Sequence, residues 1–542
     1  MPEKLNPDLD PGKYSSLSEV INFCLSEHSD MPAFSCFGKT LSYGEVDEIS
    51  RRFASYLLNE AGLKPGDRIA IQLPNVLQFP IVFYAATRAG LVVVNTNPLY
   101  TKNEMLYQFR DSGVKAIVIL ESFCDKLEQI KGETDIETVI VCRLGDLQNR
   151  AKGLLINFVS RYVKKMVPAY KIPGAVYFSN TLKSLPASVD YPGSGSANDV
   201  ALILYTGGTT GSAKGAQLSH NNLIANMMQL RSRCLVIMED REEHILAPLP
   251  LYHSYAFLLH CLAMPLGGNH NILVTNPRDT GGLIKLWKSH PVSGFVGINT
   301  LYLSLLRDDA ISEVDFSTMK FCGAGGMAMT TSVMEEWLEV TKCEIFEGYG
   351  LTECSPVVSV NLPGAAKPGT AGPPVPETEL RVVDEEGNDV ATGEKGELWI
   401  RGPQVMLGYW NKPEATAEAI TEDGWFKSGD YVQIAEDNYV RIVDRKKDMI
   451  LVSGFNVFPN EIEDWVNGHP GILESAAIGV PSEKTGEAVK LFVVCQNGNI
   501  AEEDIISHCK DGMTAYKIPR EIVYVDDLPK SNIGKILRRE LR

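Results

Sequence analysis

The stretch that most constrains this chain is Tyr205-Thr-Gly-Gly-Thr-Thr-Gly-Ser-Ala-Lys-Gly215, which follows the apolar run Ala201-Leu-Ile-Leu204. The apolar run reads as a buried strand. The eleven residues after it hold four glycines, three threonines, a serine and a lysine. Glycine lets the backbone turn tightly and approach a ligand closely. A run of exposed N–H groups makes a concave anion site. The hydroxyls add donors, and Lys214 adds a positive charge. A plain turn needs none of these, so the loop reads as a cradle for nucleotide phosphates, formed by Tyr205, Thr206, Gly207, Gly208, Thr209, Thr210, Gly211 and Lys214. It is not a Walker A loop, which requires Gly-Lys-Ser/Thr. Here Ser212 follows Gly211 and Gly215 follows Lys214.

At 542 residues the chain is too long for one ordinary core, so two or more domains are expected. Strand and helix signals alternate from residue 40 to 142: Ser42–Leu58 helical, Arg68–Leu73 strand, Pro80–Ala89 helical, then strands at Leu91–Val94, Val114–Leu120 and Thr138–Cys142. Such alternation implies a parallel α/β sheet. Runs at Glu379–Val383 and Gly396–Arg401 suggest a β-rich subdomain, and a small α+β domain is read from Lys447 onward. The expected division is therefore 1–446 and 447–542. The net charge of −17 argues against a nucleic-acid partner. The 11 cysteines are scattered without a CxxC or Cys/His cluster, which points to reduced thiols in the cytoplasm. No secretory signal and no run long enough to span a bilayer is read.

Residues 152–171 stand apart. Leu155, Phe158, Val159, Tyr162, Val163 and Met166 share one helical face, and Arg161, Lys164 and Lys165 lie on the other side. Two readings are open: a helix packed on the protein with a solvated basic side, or one lying on an anionic membrane surface.

Five further stretches carry chemistry. Gly323-Ala-Gly-Gly326 follows a strand signal, and Glu347-Gly-Tyr-Gly-Leu-Thr-Glu-Cys354 combines exposed backbone, an aromatic, a hydroxyl and a carboxylate. A nucleotide site needs those parts: a surface for the base, a donor for phosphate and an oxygen ligand for Mg²⁺. Ser428-Gly-Asp430 and Asp444-Arg-Lys-Lys447 precede the small domain, and Leu528-Pro-Lys-Ser-Asn-Ile-Gly-Lys535 lies near the C-terminus.

Together these motifs, in this order from Leu41 to Arg539, resemble the adenylate-forming superfamily of acyl-CoA synthetases, luciferases and peptide-synthetase adenylation domains. The run Arg441 to Glu463 is most similar to bacterial long-chain fatty-acid–CoA ligases. The resemblance implies ATP, Mg²⁺ and CoA, and a fatty acid turned into acyl-CoA through an acyl-adenylate. By motif position it implies that Lys535 enters the adenylation site. Glu353 would hold the metal, and Gly325, Gly348, Tyr349, Gly350 and Thr352 would contact the nucleotide. Asp430 and Arg445 would take the ribose, and Lys447 would be a hinge. Ser453 and Gly454 would line the CoA path. His253 would stand at the acyl and thiol site, with Phe257 as a gate to the acyl tunnel. A medium-chain or aryl acid substrate, transfer to a carrier protein, and a non-catalytic nucleotide sensor are the alternatives. The location read is cytoplasmic, with peripheral contact at the inner face of the membrane only on the second of the two readings of residues 152–171.

Overall fold

The computed structural model describes residues 10–182, 196–206, 213–233, 235–482, 484–496, 498, 500–531 and 534–542. Two eight-stranded sheets form the body of the large domain. The first runs Gly408–Tyr409, Lys214–Ser219, Val200–Thr206, Val92–Asn95, Arg68–Gln72, Ala116–Leu120, Thr138–Cys142 and Val176–Tyr177. Its strands are parallel from Val200–Thr206 onward, and Val200–Thr206 and Lys214–Ser219 close an antiparallel hairpin. The second runs Val357–Val360, Ile345–Gly350, Phe321–Ala324, Gly294–Gly297, His244–Ala247, His270–Leu273, Pro32–Cys36 and Lys39–Ser42.

The chain crosses between these sheets. Strands at 32–42 belong to the second sheet, those at 68–219 to the first, those at 244–360 to the second again, and 408–409 returns to the first. The sheets are therefore one intertwined body. Strand periodicity builds the layers. Ile69, Ile71 and Val93 face the core between the sheets, where they meet Phe34, Ile245 and Ala247. Their neighbours Ala70, Val92 and Val94 face an outer core of the first sheet, and Leu246 faces an outer core of the second.

Helices fill the layer between the sheets. Tyr43–Asn59 starts in a capping box, with Ser42 and Glu45 satisfying each other's backbone N–H. Every residue of Gln78–Arg88 is buried. The apolar character of that segment all round follows from its place between two sheets. Arg88 keeps partners there: its guanidinium donates to Ser50 Oγ (2.6 Å) and Asn22 Oδ1 (2.7 Å) and pairs with Asp47.

A four-stranded antiparallel sheet follows: Glu379–Val383, Lys395–Arg401, Phe426–Ile434 and Val440–Arg445. The small domain wraps helices Pro459–Asn467 and Glu502–Gly512 around a sheet whose long hairpin is Ile472–Ser482 and Gly486–Cys495.

The segment at 152–171 is shorter as a helix than its pattern suggests. It runs as Arg150–Phe158, widens over Val159–Val163 and stops at Lys164; Lys165 takes a left-handed φ of +50°. Gly153 sits so close to Gly145 that a Cβ on Gly153 would lie 2.5 Å from the Gly145 carbonyl oxygen. The helix docks through that bare backbone, so its apolar side chains turn outward: Leu155 is 61 % and Phe158 55 % exposed.

Candidate active site

The hairpin of the first sheet delivers Thr206 opposite Lys214. Thr206 Oγ1 donates to Glu353 Oε1 at 3.2 Å, and the Tyr409 hydroxyl donates to the same oxygen at 3.0 Å. Lys214 Nζ stands 5.0 Å from the centre of the Tyr409 ring. Residues Gly207, Gly208, Thr209, Thr210 and Gly211 lie outside the described residues. Strand alternation sends Tyr205 the other way. Its hydroxyl donates to Asp111 Oδ2 at 2.6 Å, away from the Glu353 cluster.

Glu353 comes from the turn after strand Ile345–Gly350. A Cβ on Gly350 would sit 2.2 Å from the Pro356 carbonyl oxygen, so only glycine fits. Leu351 N donates to that same carbonyl at 2.9 Å and closes the turn. Met406 N donates to the Glu353 carbonyl at 2.8 Å, which ties the turn to the segment carrying Tyr409. Thr352 Oγ1 lies 3.3 Å from Ser254 Oγ. Gly325 meets the same strand end: its Cβ would be 3.3 Å from the Gly348 carbonyl oxygen.

Asp430 and Arg445 face each other across antiparallel strands, with Arg445 Nε 3.4 Å from Asp430 Oδ1. The Tyr349 hydroxyl donates to Asp430 Oδ2 at 2.6 Å. Burial, and then the Asp430 charge, push that phenol far above its ordinary range.

Lys535 reaches this cluster from the other domain. Its carbonyl accepts from Ser531 N (2.7 Å) and its N–H donates to Ser531 Oγ (3.1 Å), which makes a tight turn. Gly534 sits in the turn at φ +75°, and a Cβ there would lie 2.3 Å from Ile298 Cδ1 of the large domain. Burial, then the Arg445 charge, lower the Lys535 ammonium to about 8, and Asp430 partly offsets them. Burial and the neighbouring Lys535 lower His253 to about 4, so its imidazole is neutral at pH 7. His253 opens the helix at Ser254–Phe257, whose Phe257 is fully buried with its ring 4.6 Å from that of Phe83.

The hairpin carrying Thr206 and Lys214, the Glu353 carboxylate, the Asp430–Arg445 pair and Lys535 are thus brought together. Ser453 and Gly454 are not: they form an exposed turn of the small domain, at φ +53° and +83°. Lys447 lies in the turn between strands Val440–Arg445 and Ile450–Val452, its ammonium lowered to about 8 by burial and then by Arg445. Tyr409 and Ile298 complete the site but carried no motif, and Ser254, which also joins it, directly follows His253. Only Tyr409, in Leu407-Gly-Tyr-Trp410, had a local sign, an aromatic pair after glycine.

The residues fit a magnesium ion shared with a nucleotide. Mg²⁺ usually takes one or two protein carboxylates and fills its shell with phosphates and water. Glu353 supplies one carboxylate oriented by Thr206 and Tyr409 beside Lys214. Among the described residues no cluster of three acidic, His or Cys side chains forms a self-sufficient metal cage.

The chain is 45 % identical to the long-chain-fatty-acid–CoA ligase of Salmonella typhimurium, over all of this chain and 96 % of that one. It is 33 % identical to the long-chain-fatty-acid–CoA ligase of Bacillus subtilis, over 97 % of this chain and 94 % of that one. The ATP-bound crystal structure of MatB from Rhodopseudomonas palustris superposes with a TM-score of 0.80 at 28 % identity, covering 97 % of this chain and 98 % of that one. The AMP-binding enzyme family matches residues 24–410 and the AMP-binding enzyme C-terminal domain residues 461–535, so this chain belongs to the AMP-binding enzymes.

Proposed function

We propose that the chain is an ATP-dependent long-chain fatty-acid–CoA ligase that works through an acyl-adenylate. The observation that carries this reading is the seating of Lys535 beside Asp430, Arg445 and His253, in a chain 45 % identical end to end to a long-chain-fatty-acid–CoA ligase.

In the first half-reaction the acid's carboxylate attacks the α-phosphorus of ATP, and pyrophosphate leaves. Both reactants are anions, so positive charge must stand where they meet. Lys535 supplies it at the reacting atoms. Thr206 and Lys214, with the glycine-rich loop, hold the outgoing phosphates, and Thr352 donates to the α-phosphate. Asp430 accepts from the ribose hydroxyls with Arg445 beside it, and Gly325, Gly348, Tyr349 and Gly350 form the base site. Magnesium held by Glu353 would neutralise phosphate charge. In the second half-reaction the CoA thiol attacks the acyl carbonyl and AMP leaves. Neutral His253 lines that site, Phe257 gates the acyl tunnel, and Ser453-Gly454 lines the CoA path. That turn is exposed in the placement described here, so the second step requires the small domain (residues 447–542) to rotate about Lys447.

The test is a panel of short, long and aromatic carboxylic acids, assayed for AMP release with CoA present. Long-chain acids are expected to give the highest kcat/KM. A preference for aromatic or short acids would replace the substrate assignment and leave the reaction type intact. Gly534→Ala is expected to slow acyl-adenylate formation by roughly tenfold, because a left-handed φ costs a non-glycine about 1–2 kcal/mol before any clash with Ile298. Pyrophosphate release in a single turnover measures it.

The reading includes a cytoplasmic location with peripheral contact at the inner membrane face. Among the described residues no helix is long and apolar enough to cross a membrane. The support is the outward apolar face of Leu154, Leu155, Phe158, Tyr162, Val163 and Met166, next to Lys164 and Lys165. Arg161 contributes less, since it pairs with Glu121. Replacing Lys164 and Lys165 by Glu is expected to weaken sedimentation with anionic vesicles by roughly 30-fold or more, at about 1 kcal/mol per basic residue, and added salt is expected to do the same. Unchanged sedimentation would rule this helix out.

A further inference from the structure

The contacts between the domains are not confined to the Lys535 turn. Helix Pro459–Asn467 of the small domain starts directly against strand Val440–Arg445 of the large one. Asp444, on that strand, is 1 % exposed. Its Oδ2 accepts the Asn460 N–H at 2.8 Å, and its Oδ1 accepts the Arg445 N–H at 2.7 Å. Asn460 Nδ2 donates to the Val443 carbonyl at 3.2 Å. Asn460 Oδ1 accepts from Arg538 Nη2 at 2.7 Å. Arg538, three residues past Lys535, also donates to Glu463 Oε2 at 2.7 Å, and its charge faces Asp444.

The first turn of a helix has N–H groups without intrahelical partners and a partial positive charge. A carboxylate placed there is stabilised. In this molecule that carboxylate comes from the other domain. A buried carboxylate without such partners would be costly, and burial does raise Asp444 to about 6 against the Arg538 charge. Asp444 precedes the turn at Lys446–Lys447 and Asn460 follows it, so any rotation about that turn pulls the two apart.

We propose that Asp444 is the latch of the placement that puts Lys535 at the reacting atoms. It is a positioning residue of the large domain that caps a small-domain helix and, through Asn460 and Arg538, steadies the segment carrying Lys535. The proposal rests on the reading that the small domain takes two placements.

The test uses the full chain with two variants that open the contact from opposite sides. Asp444→Asn removes the charge. Asn460→Pro removes the donated N–H together with the Asn460 side-chain bonds to Val443 and Arg538, and leaves Asp444 and Arg445 in place. In both, acyl-adenylate formation should fall about tenfold or more, the factor expected for a hydrogen bond to a charged group. The KM for ATP should change little, and the CoA step on supplied acyl-adenylate should be as fast as before or faster. Limited trypsin digestion should cut faster at Arg445, Lys446 or Lys447. Equal loss of both half-reactions in protein that is folded by circular dichroism would overturn the latch. So would unchanged adenylation and unchanged cleavage. A raised KM for ATP in Asp444→Asn, with Asn460→Pro normal, would assign Asp444 to the nucleotide site instead. The cleavage rate reads the contact without turnover. Failure of the two-placement reading, seen as normal turnover of Lys447→Pro, is thereby told apart from failure of the latch.

Discussion

Lys535→Ala is expected to lower acyl-adenylate formation by about 10²–10³-fold while leaving the CoA step on supplied acyl-adenylate largely intact. A charge-stabilising group in a water-excluded site is typically worth about 2.7–4 kcal/mol of transition-state energy. Lys535 stands half-buried beside Arg445 and Asp430, where burial and the Arg445 charge both act on its ammonium. Two anions must meet in the first half-reaction, whereas the thiol step starts from an acyl-adenylate already formed. The pH dependence has a definite sign. The ammonium is lost as pH rises through about 8, so kcat/KM for ATP in adenylation falls above that value. That falling limb should vanish in Lys535→Ala. Equal loss in both half-reactions would remove the assigned role.

Lys447→Pro is expected to separate the half-reactions. Lys535 is at the site here, while Ser453-Gly454 is exposed on the same small domain. On the proposed roles, one rigid placement does not serve both. A hinge residue absorbs the φ/ψ change between placements, and proline fixes φ near −65°. Lys447 is outside the left-handed region in the present placement, so proline agrees in sign with it. Acyl-adenylate formation should therefore be the half that survives, and the CoA step the half that falls. Single-turnover assays of each half, with circular dichroism to confirm folding, measure this. Normal overall turnover in a folded variant would defeat the domain-rotation account.

Much of the local structure was legible because periodicity is a local property. Arg68–Gln72, Thr138–Cys142 and Glu379–Val383 appear where their apolar spacing placed them. The interleaving of the two large sheets was not legible, because it rests on distant pairings such as Phe34 with Asn271. Motifs brought Glu353, Asp430, Arg445 and Lys535 to one place, but the hydroxyl that orients Glu353 belongs to Tyr409, 56 residues away. The helix at Arg150–Phe158 shows a further limit. Its amphipathic pattern marks an apolar face, yet the close approach of Gly145 and Gly153 decides which side meets the protein. Asp444 read only as part of a motif. Its capping of Asn460 depends on how one domain is laid against the other.

The central claim is a two-step ligase whose first step needs no thiol. Acid-dependent exchange of labelled pyrophosphate into ATP tests it most directly, with a long-chain fatty acid and no CoA. The account predicts exchange that requires the fatty acid and Mg²⁺, proceeds without CoA, and gives way to AMP and acyl-CoA once CoA is added. Exchange without any acid, or products that are ADP and inorganic phosphate, would contradict it.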